Sequence, residues 1–110
     1  MAGNANKVNI TAGLFKAFAF EQLTISTVVL PLTALTYIVD SSGEKAKRAV
    51  ITITGAQIRY TYDGTTPTSS VGHLVNPFDV ITIIGSDNIS NFKAIRAGSS
   101  DAIISVTYEN

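Results

Sequence analysis

Four side chains that could form a hydrolytic centre lie close together in the sequence: Asp63, Ser69, Ser70 and His73. In such a centre His73 would be the general base, oriented by Asp63 or Asp79, and one serine would be the nucleophile. The chain has no Gly-x-Ser-x-Gly turn to present a serine, and it has no cysteine. We therefore predict a structural histidine that bonds the loop backbone, no catalytic residue, and a protein that is not an enzyme.

Metal ligands are scarce in this chain. His73 is the only histidine and there is no cysteine, so multi-histidine and thiolate sites are excluded. Asp63, Asp79, Asp87 and Asp101 lie in predicted turns and could offer oxygen ligands to calcium. The Asp-x-Asp-x-Asp-Gly spacing of a calcium loop is absent, so turn formation is the predicted role. We predict no metal and no cofactor.

Two arginines occur inside apolar predicted strands. Arg59 and Arg96 could face solvent, pair with Asp63 or Glu109 across a sheet, or reach a neighbouring subunit. An internal or solvated role is the first expectation, and the intersubunit role stays open.

Three aromatic side chains could form a platform on which a sugar stacks. Tyr60, Tyr62 and Phe92 are the candidates. Because they fall in alternating strand patterns, we predict that they belong to the core.

Composition limits the possible partners. The chain has 110 residues, eight basic and eight acidic, and only 15% are charged. A single domain without disulfides is expected, and the zero net charge argues against nucleic acid. The longest apolar stretch, residues 28–32, contains Pro31 and is too short to span a membrane. The N-terminus lacks a signal-peptide pattern, so we expect a protein made in a cytoplasm, with a low-charge surface suited to packing against neighbours.

The elements that must position these residues are mostly strands. Ile58, Tyr60 and Tyr62 alternate with Arg59 and Thr61, which predicts a strand with two different faces. A turn at Asp63-Gly64 and a second bend at Pro67 follow it.

The first half of the chain is less regular. Residues 1–12 are predicted to be a polar arm, and residues 13–110 a single domain. A strand over 14–26 with a bulge near Glu21 and Gln22 is favoured over a short helix at 13–22. Pro31 marks a break, 33–39 a strand and 40–43 a loop.

The second half carries clearer patterns. Strands are predicted at 46–54, 57–62 and 80–84, and the last of these is expected to be central because both its faces are apolar. Residues 85–91 are expected to form a loop or one 3₁₀ turn. Strands at 92–97 and 102–108 are expected to pair through a hairpin at 98–101, with Ile104, Val106 and Tyr108 inward.

Seven or eight short strands predict an all-β fold, an antiparallel β-sandwich. Immunoglobulin-like and jelly-roll connections both fit, and a small closed barrel is a third option.

Several segments resemble small structural proteins of tailed bacteriophages and prophages. They are residues 49–53, 58–60, 63–65, 67–68, 72–74, 92–96 and 106–109. That pattern often has Gly where this chain has Phe78, and the first 45 residues match it only loosely. The resemblance implies a non-enzymatic virion component.

Within the virion, the resemblance implies a capsid decoration or head-associated protein that stabilises the shell. It would self-associate as a homo-oligomer and bind other virion proteins, above all the major capsid protein, without nucleic acid or membrane. A tail, neck or baseplate subunit is the alternative. The implied location is the virion, assembled in the host cytoplasm.

Residues 58–68 also resemble the immunoglobulin-like domain at the C-terminus of chitobiase-type glycosidases, with its tyrosine-rich strand and Asp-Gly-Thr loop. This resemblance implies a glycan-binding accessory module as an alternative of another class. The spacing of strand and bends at residues 58–73 places the loop at one end of the domain, where we expect it to be available for contact with another subunit. The candidate intersubunit contacts are Arg59, Asp63, Thr65, Pro67, His73 and Arg96.

Overall fold

A computed structural model describes residues 15–37 and 43–110, and these residues form eight strands and two short helices. The strands are β1 (Ala17–Ile25), β2 (Leu30–Pro31), β3 (Arg48–Thr54), β4 (Ile58–Thr61), β5 (His73–Val75), β6 (Val80–Ile84), β7 (Lys93–Arg96) and β8 (Ala102–Glu109). The helices are α1 (Ala34–Tyr37) and α2 (Ser86–Asn91). The predicted arm at 1–12 and most of the predicted loop at 40–43 lie outside the described residues.

The strands form two four-stranded antiparallel sheets. Sheet A has the order β1-β8-β3-β6, and sheet B has the order β2-β7-β4-β5. The prediction of an all-β antiparallel sandwich is confirmed.

The strand pairing is nested, and this defines the connectivity. β4 pairs with β5, β3 with β6, β2 with β7 and β1 with β8, while β3–β8 and β4–β7 contacts complete the two sheets. Four nested antiparallel pairs folded over into two sheets give a jelly roll. An immunoglobulin-type sandwich would group its strands differently. The two separate sheets also exclude the closed barrel.

The core lies between the sheets and follows the predicted alternation. In β3 the inward residues Ala49, Ile51 and Ile53 are fully buried, and in β8 Ile104, Val106 and Tyr108 are too. Sheet B contributes Ile58 and Ala94, and Phe92, which directly precedes β7, joins them; all three are fully buried. Burial of this apolar surface is the main stabilising contribution.

The N-terminal strand is confirmed, and the short helix over 13–22 is not present in the described part of that segment. β1 pairs with β8 from Ala17 to Ile25. Its register shift lies between Ala17 and Ala19, so the predicted bulge near Glu21 and Gln22 is misplaced.

The predicted strand at 33–39 is wrong where the structure describes it. Residues 34–37 form α1, whose first turn carries a backbone bond from the Thr36 N–H to the Thr33 carbonyl oxygen. Leu35, an expected strand residue, is almost fully exposed, whereas Tyr37 packs against the ring of Tyr108. The contact between the Tyr37 and Tyr108 rings thus outweighs the strand propensity of this segment.

β6 is not the central strand that its composition predicts. Among the described strands it pairs only with β3, and it forms one edge of sheet A. Ile81 and Ile83 are buried, but Val80 is 61% exposed and Ile84 63%. The following residues 86–91 form α2 rather than the expected loop or 3₁₀ turn.

β7 and β8 do not form the predicted hairpin. β7 lies in sheet B between β2 and β4, and β8 lies in sheet A between β1 and β3. Residues 97–101 therefore carry the chain from one sheet to the other.

Candidate functional site

An open groove of about 300 Å³ lies where β4 ends and β5 begins. Its lining residues are Thr61, Tyr62, Asp63, Thr65 and His73. Thr61 is the last residue of β4, Tyr62, Asp63 and Thr65 belong to the turn that follows it, and His73 is the first residue of β5. The sequence-predicted residues Asp63, Thr65 and His73 are thus brought together in three dimensions.

A cluster of aromatic rings forms the inner wall beside this groove. Tyr60 stacks on Phe92 with ring centroids 5.4 Å apart, and His73 lies 5.2 Å from Tyr60 and 5.9 Å from Tyr62. Phe92 is fully buried, Tyr60 is half-buried and Tyr62 is 40% exposed. The prediction that these aromatic rings belong to the core is therefore right for Phe92, whereas Tyr62 lies at the exposed end of the aromatic cluster.

The turn that carries Asp63 is held by its own side chain. A carboxylate oxygen of Asp63 accepts a 3.0 Å bond from the Thr65 N–H, and Gly64 supplies the positive φ of 93° that the turn needs. The bond from Thr65 stabilises the ionised form and lowers the pKa of Asp63, with a smaller contribution from His73. The Asp63 carboxylate, which lines the groove together with the Tyr62 ring, is therefore charged at neutral pH.

Arg59 and Pro67 stabilise the loop from the other face of sheet B. The Arg59 guanidinium donates to the carbonyl oxygens of Ser69 and Gly72, both at 2.9 Å. Pro67 is fully buried, so its side chain has no surface to offer a neighbouring subunit. A Cβ at Gly72 would approach the side chains of both Arg59 and Pro67. These contacts make the loop a fixed part of the fold.

Pairing of Arg59 or Arg96 with Asp63 or Glu109, one of the options left open by the sequence, does not occur among the described residues. Arg96 pairs with Asp101 at 2.6 Å, far along the chain from Asp63, and Glu109 pairs with Arg48. Arg96 lines a different, shallow depression with Ser69 and Gly98. Because Ser69 lies there, the fold does not place it beside His73 as a nucleophile would require.

The outer face of sheet A forms a second candidate surface, which the sequence reasoning missed. Four exposed apolar side chains lie on it: Phe20 (61%), Val80, Ile84 and Ile103 (43%). The outward positions between them are mostly threonine or serine, at Thr24, Thr52, Thr54, Thr82, Ser105 and Thr107. Among the outward residues of these four described strands, the charged ones are Arg48 and Glu109, which pair with each other.

A sequence signal for this face existed in β6. Its five residues carry no charge, a pattern that fits a strand covered on both faces as well as an edge strand with an apolar outer face. The phenyl ring of Phe15 covers the Arg48 guanidinium at 4.1 Å and further reduces the polarity at one corner of the face.

Within residues 15–37 and 43–110, no group of three or more His, Asp or Glu side chains is arranged to hold a metal ion. The helices in the same described ranges are too short and polar to cross a membrane. Comparisons with protein-family models, with curated protein sequences and with solved structures found no match to this chain.

Proposed function

We propose that this protein is a non-enzymatic structural subunit of a bacteriophage particle. In this role it associates with its own copies and with other particle proteins, most directly as a decoration or head-associated protein on the capsid. A tail, neck or baseplate position is the alternative location within the particle.

The outer face of sheet A carries the proposal. It combines four exposed apolar side chains with hydroxyl-bearing residues, and its two charges neutralise each other. Protein interfaces are depleted of charged residues at their centre, and this face shares that composition. A surface of this composition gains by burial against another protein and loses little by desolvation.

The connectivity of the sandwich adds support by analogy. Jelly rolls recur in viral capsid domains, although a fold alone does not fix a function. Of the seven segments that resemble phage structural proteins, four lie in the central strands β3, β4, β7 and β8, and the other three lie in the loop after β4 and at the start of β5. Repetition of a weak contact over many copies on a lattice would give strong overall attachment.

The test is recovery of the chain from particles. Particles from the phage or lysogen that encodes the chain are purified on a density gradient, and its peptides are quantified by mass spectrometry. We expect several copies per particle. Absence of the chain from intact particles would contradict the proposal.

A matched pair of variants tests the surface itself. Thr52→Lys places one charge in the middle of the outer face of sheet A, and Thr66→Lys places the same charge on the exposed loop of sheet B. We expect incorporation to fall about tenfold for Thr52→Lys and to stay unchanged for Thr66→Lys. Equal incorporation of both variants would exclude this face as the contact.

Glycan binding is a second candidate, favoured by the groove at Tyr62. An exposed tyrosine ring beside an ionised Asp63 and the hydroxyl of Thr65 offers a stacking surface with hydrogen-bonding groups, as sugar sites require. Jelly rolls also occur in lectin domains.

A glycan array with three variants tests this candidate. Tyr62→Ala should abolish any binding without loss of stability, and Asp63→Asn should weaken it. Phe78→Ala removes another exposed aromatic ring away from the groove and should leave binding unchanged. If the wild-type protein binds no glycan on the array, glycan binding is excluded as its function.

A further inference from the structure

Within residues 15–37 and 43–110, the edge of sheet A formed by β6 has no partner strand, and it differs from the other three sheet edges. Sheet B ends in β2, which has two residues including Pro31, and in β5, which has three. The other edge of sheet A, β1, has a register shift and a carboxylate, Glu21, that bonds the inward-facing Tyr108 hydroxyl. Shortness, proline, irregular register and inward charge are the features that protect sheet edges. β6 has five residues and none of these features.

The hydrogen-bonding phase of β6 follows from its pairing with β3. Arg48 lies opposite Ile84, and at the next pair the Gly85 N–H donates to the Lys47 carbonyl oxygen at 2.7 Å. Hydrogen-bonded and non-bonded pairs alternate along an antiparallel ladder. Ile81 and Ile83 therefore bond to β3, while the backbone groups of Val80, Thr82 and Ile84 point away from it.

One bond supports this assignment directly. The side-chain amide of Asn88 in α2 donates to the Ile84 carbonyl oxygen at 2.9 Å, so that carbonyl does face away from β3. For the N–H and C=O of Val80 and Thr82, no backbone partner outside the β3 ladder is found in the described part of the chain.

We propose that β6 is a strand-addition site for a second copy of this chain, in an antiparallel pair centred on Thr82. In this register Thr82 lies opposite Thr82 of the second copy, and Val80 lies opposite Ile84. The outward-pointing groups of one edge then meet those of the other in the correct phase. The Ile84 carbonyl oxygen, which already accepts the Asn88 bond, has a second lone pair for the added strand. The two A sheets would join into one eight-stranded sheet.

A second copy fits this edge for reasons of charge and continuity. The chain has zero net charge and β6 carries no charged side chain, so two identical edges do not repel each other. A two-fold axis through this pair keeps both outer faces on the same side, so the apolar residues Val80 and Ile84 become neighbours across the join. The inference rests on the self-association in the proposed function, and it doubles the surface offered to the capsid.

The groove beside this edge would be covered at the same time. A second groove, of about 260 Å³, lies between the sheets and is lined by Tyr60, Tyr62, Thr82, Ile83, Ile84 and Asn88. An added strand would lie along its mouth and shield part of the exposed Tyr62 ring. Dimerisation through β6 therefore lowers the exposure of Tyr62.

Cross-linking tests the register. The chain has no cysteine, so Thr82→Cys introduces a single thiol. In the proposed pair the two Cα atoms at this position would be about 5.5 Å apart, within the range that a disulfide spans. Thr52→Cys is the control, because it lies on the same outer face but one strand away from the edge. We expect oxidised dimer from Thr82→Cys and little from Thr52→Cys. Equal yields from both would overturn the proposal.

Sedimentation of the purified chain tests the backbone bonds. Thr82→Pro removes an N–H that points away from β3, so the fold should persist, as circular dichroism would verify. Thr82→Ala is the matched control, because it keeps the N–H. We expect Thr82→Pro to weaken self-association about tenfold or more and Thr82→Ala to change it little. A wild-type chain that remains monomeric, or a Thr82→Pro variant that associates like Thr82→Ala, would overturn the proposal.

The failure of this inference is distinguishable from that of the proposed function. If the chain is present in particles but Thr82→Pro does not change its self-association, the proposed function stands and strand addition is wrong. A chain absent from particles that dimerises through Thr82 supports strand addition and overturns the particle role.

Discussion

The phenolic hydroxyl of Tyr108 donates a hydrogen bond to a carboxylate oxygen of Glu21, which joins β8 to β1 from the core side. The same carboxylate oxygen accepts a 3.1 Å bond from the Thr33 N–H, just before α1. Tyr108 is fully buried. One half-buried carboxylate thus satisfies a core hydroxyl and anchors the segment that leads into α1.

Removal of this carboxylate should destabilise the protein. Glu21→Ala leaves a buried hydroxyl without its partner, so we expect the free energy of unfolding to fall by about 1–3 kcal/mol. Tyr108→Phe removes the hydroxyl donor, so no buried group is left without a partner in the core, and it should lower the free energy of unfolding by about 1 kcal/mol. Urea denaturation of both single variants and the double variant measures the coupling. Additive losses in the double variant would show that the two residues do not interact.

Alkaline pH should destabilise the fold through the same residue. Burial, and then the hydrogen bond to Glu21, raise the pKa of Tyr108 well above its ordinary value of 10.0. The unfolded chain loses this proton above pH 10 while the folded chain keeps it, so stability present below pH 10 falls as the pH rises further. Denaturation at several alkaline pH values should show this decline, and Tyr108→Phe should reduce it. An identical decline in that variant would assign the effect to other groups.

Gly72 should tolerate substitution far less well than Gly98. Its φ is 128°, and a Cβ there would lie 3.1 Å from the Tyr60 carbonyl oxygen and 3.3 Å from the Arg59 Cβ. Backbone strain of this kind typically costs about 1–3 kcal/mol, so Gly72→Ala should lower the melting temperature clearly. At Gly98 a Cβ would meet nothing within 4 Å. Gly98→Ala is therefore the control, and equal melting temperatures of the two variants would contradict the prediction.

Acid should weaken the turn at Asp63. The Thr65 N–H bond lowers the pKa of this carboxylate below its ordinary value of 3.8. The contribution to stability is therefore present above pH 3.8 and is lost as the pH falls through the lower folded-state value. An NMR titration of the Asp63 side chain and the Thr65 amide measures this directly. A titration midpoint above 3.8 would contradict the assignment.

The sequence predicts best where one face of a strand is apolar and the other is polar. Ala49, Ile51 and Ile53 in β3 and Ile104, Val106 and Tyr108 in β8 were placed correctly, because alternation fixes which side chains face the core. The sandwich class follows from several such strands. In the candidate site, the approach of Asp63 to Thr65 is local and follows from turn chemistry.

The failures share a different physical cause. The apolar run Val80–Ile84 does not specify whether its second face is covered by protein or left exposed at an edge. The short segment Gly98 to Asp101 suits a hairpin, yet β7 and β8 pair with strands far away in sequence. The contact of His73 with Tyr60 likewise depends on pairing between β4 and β5, and local sequence patterns do not specify which strands pair.

The interior position of β8 governs how this chain must fold during synthesis. β8 separates β1 from β3 in sheet A, so neither can occupy its final place until residues 102–109 have been made. A nascent chain that ends before residue 102 leaves β3 without the strand that pairs with one of its two edges. Sheet A therefore forms through contacts between residues far apart in the sequence, and a topology of this kind favours slow folding kinetics.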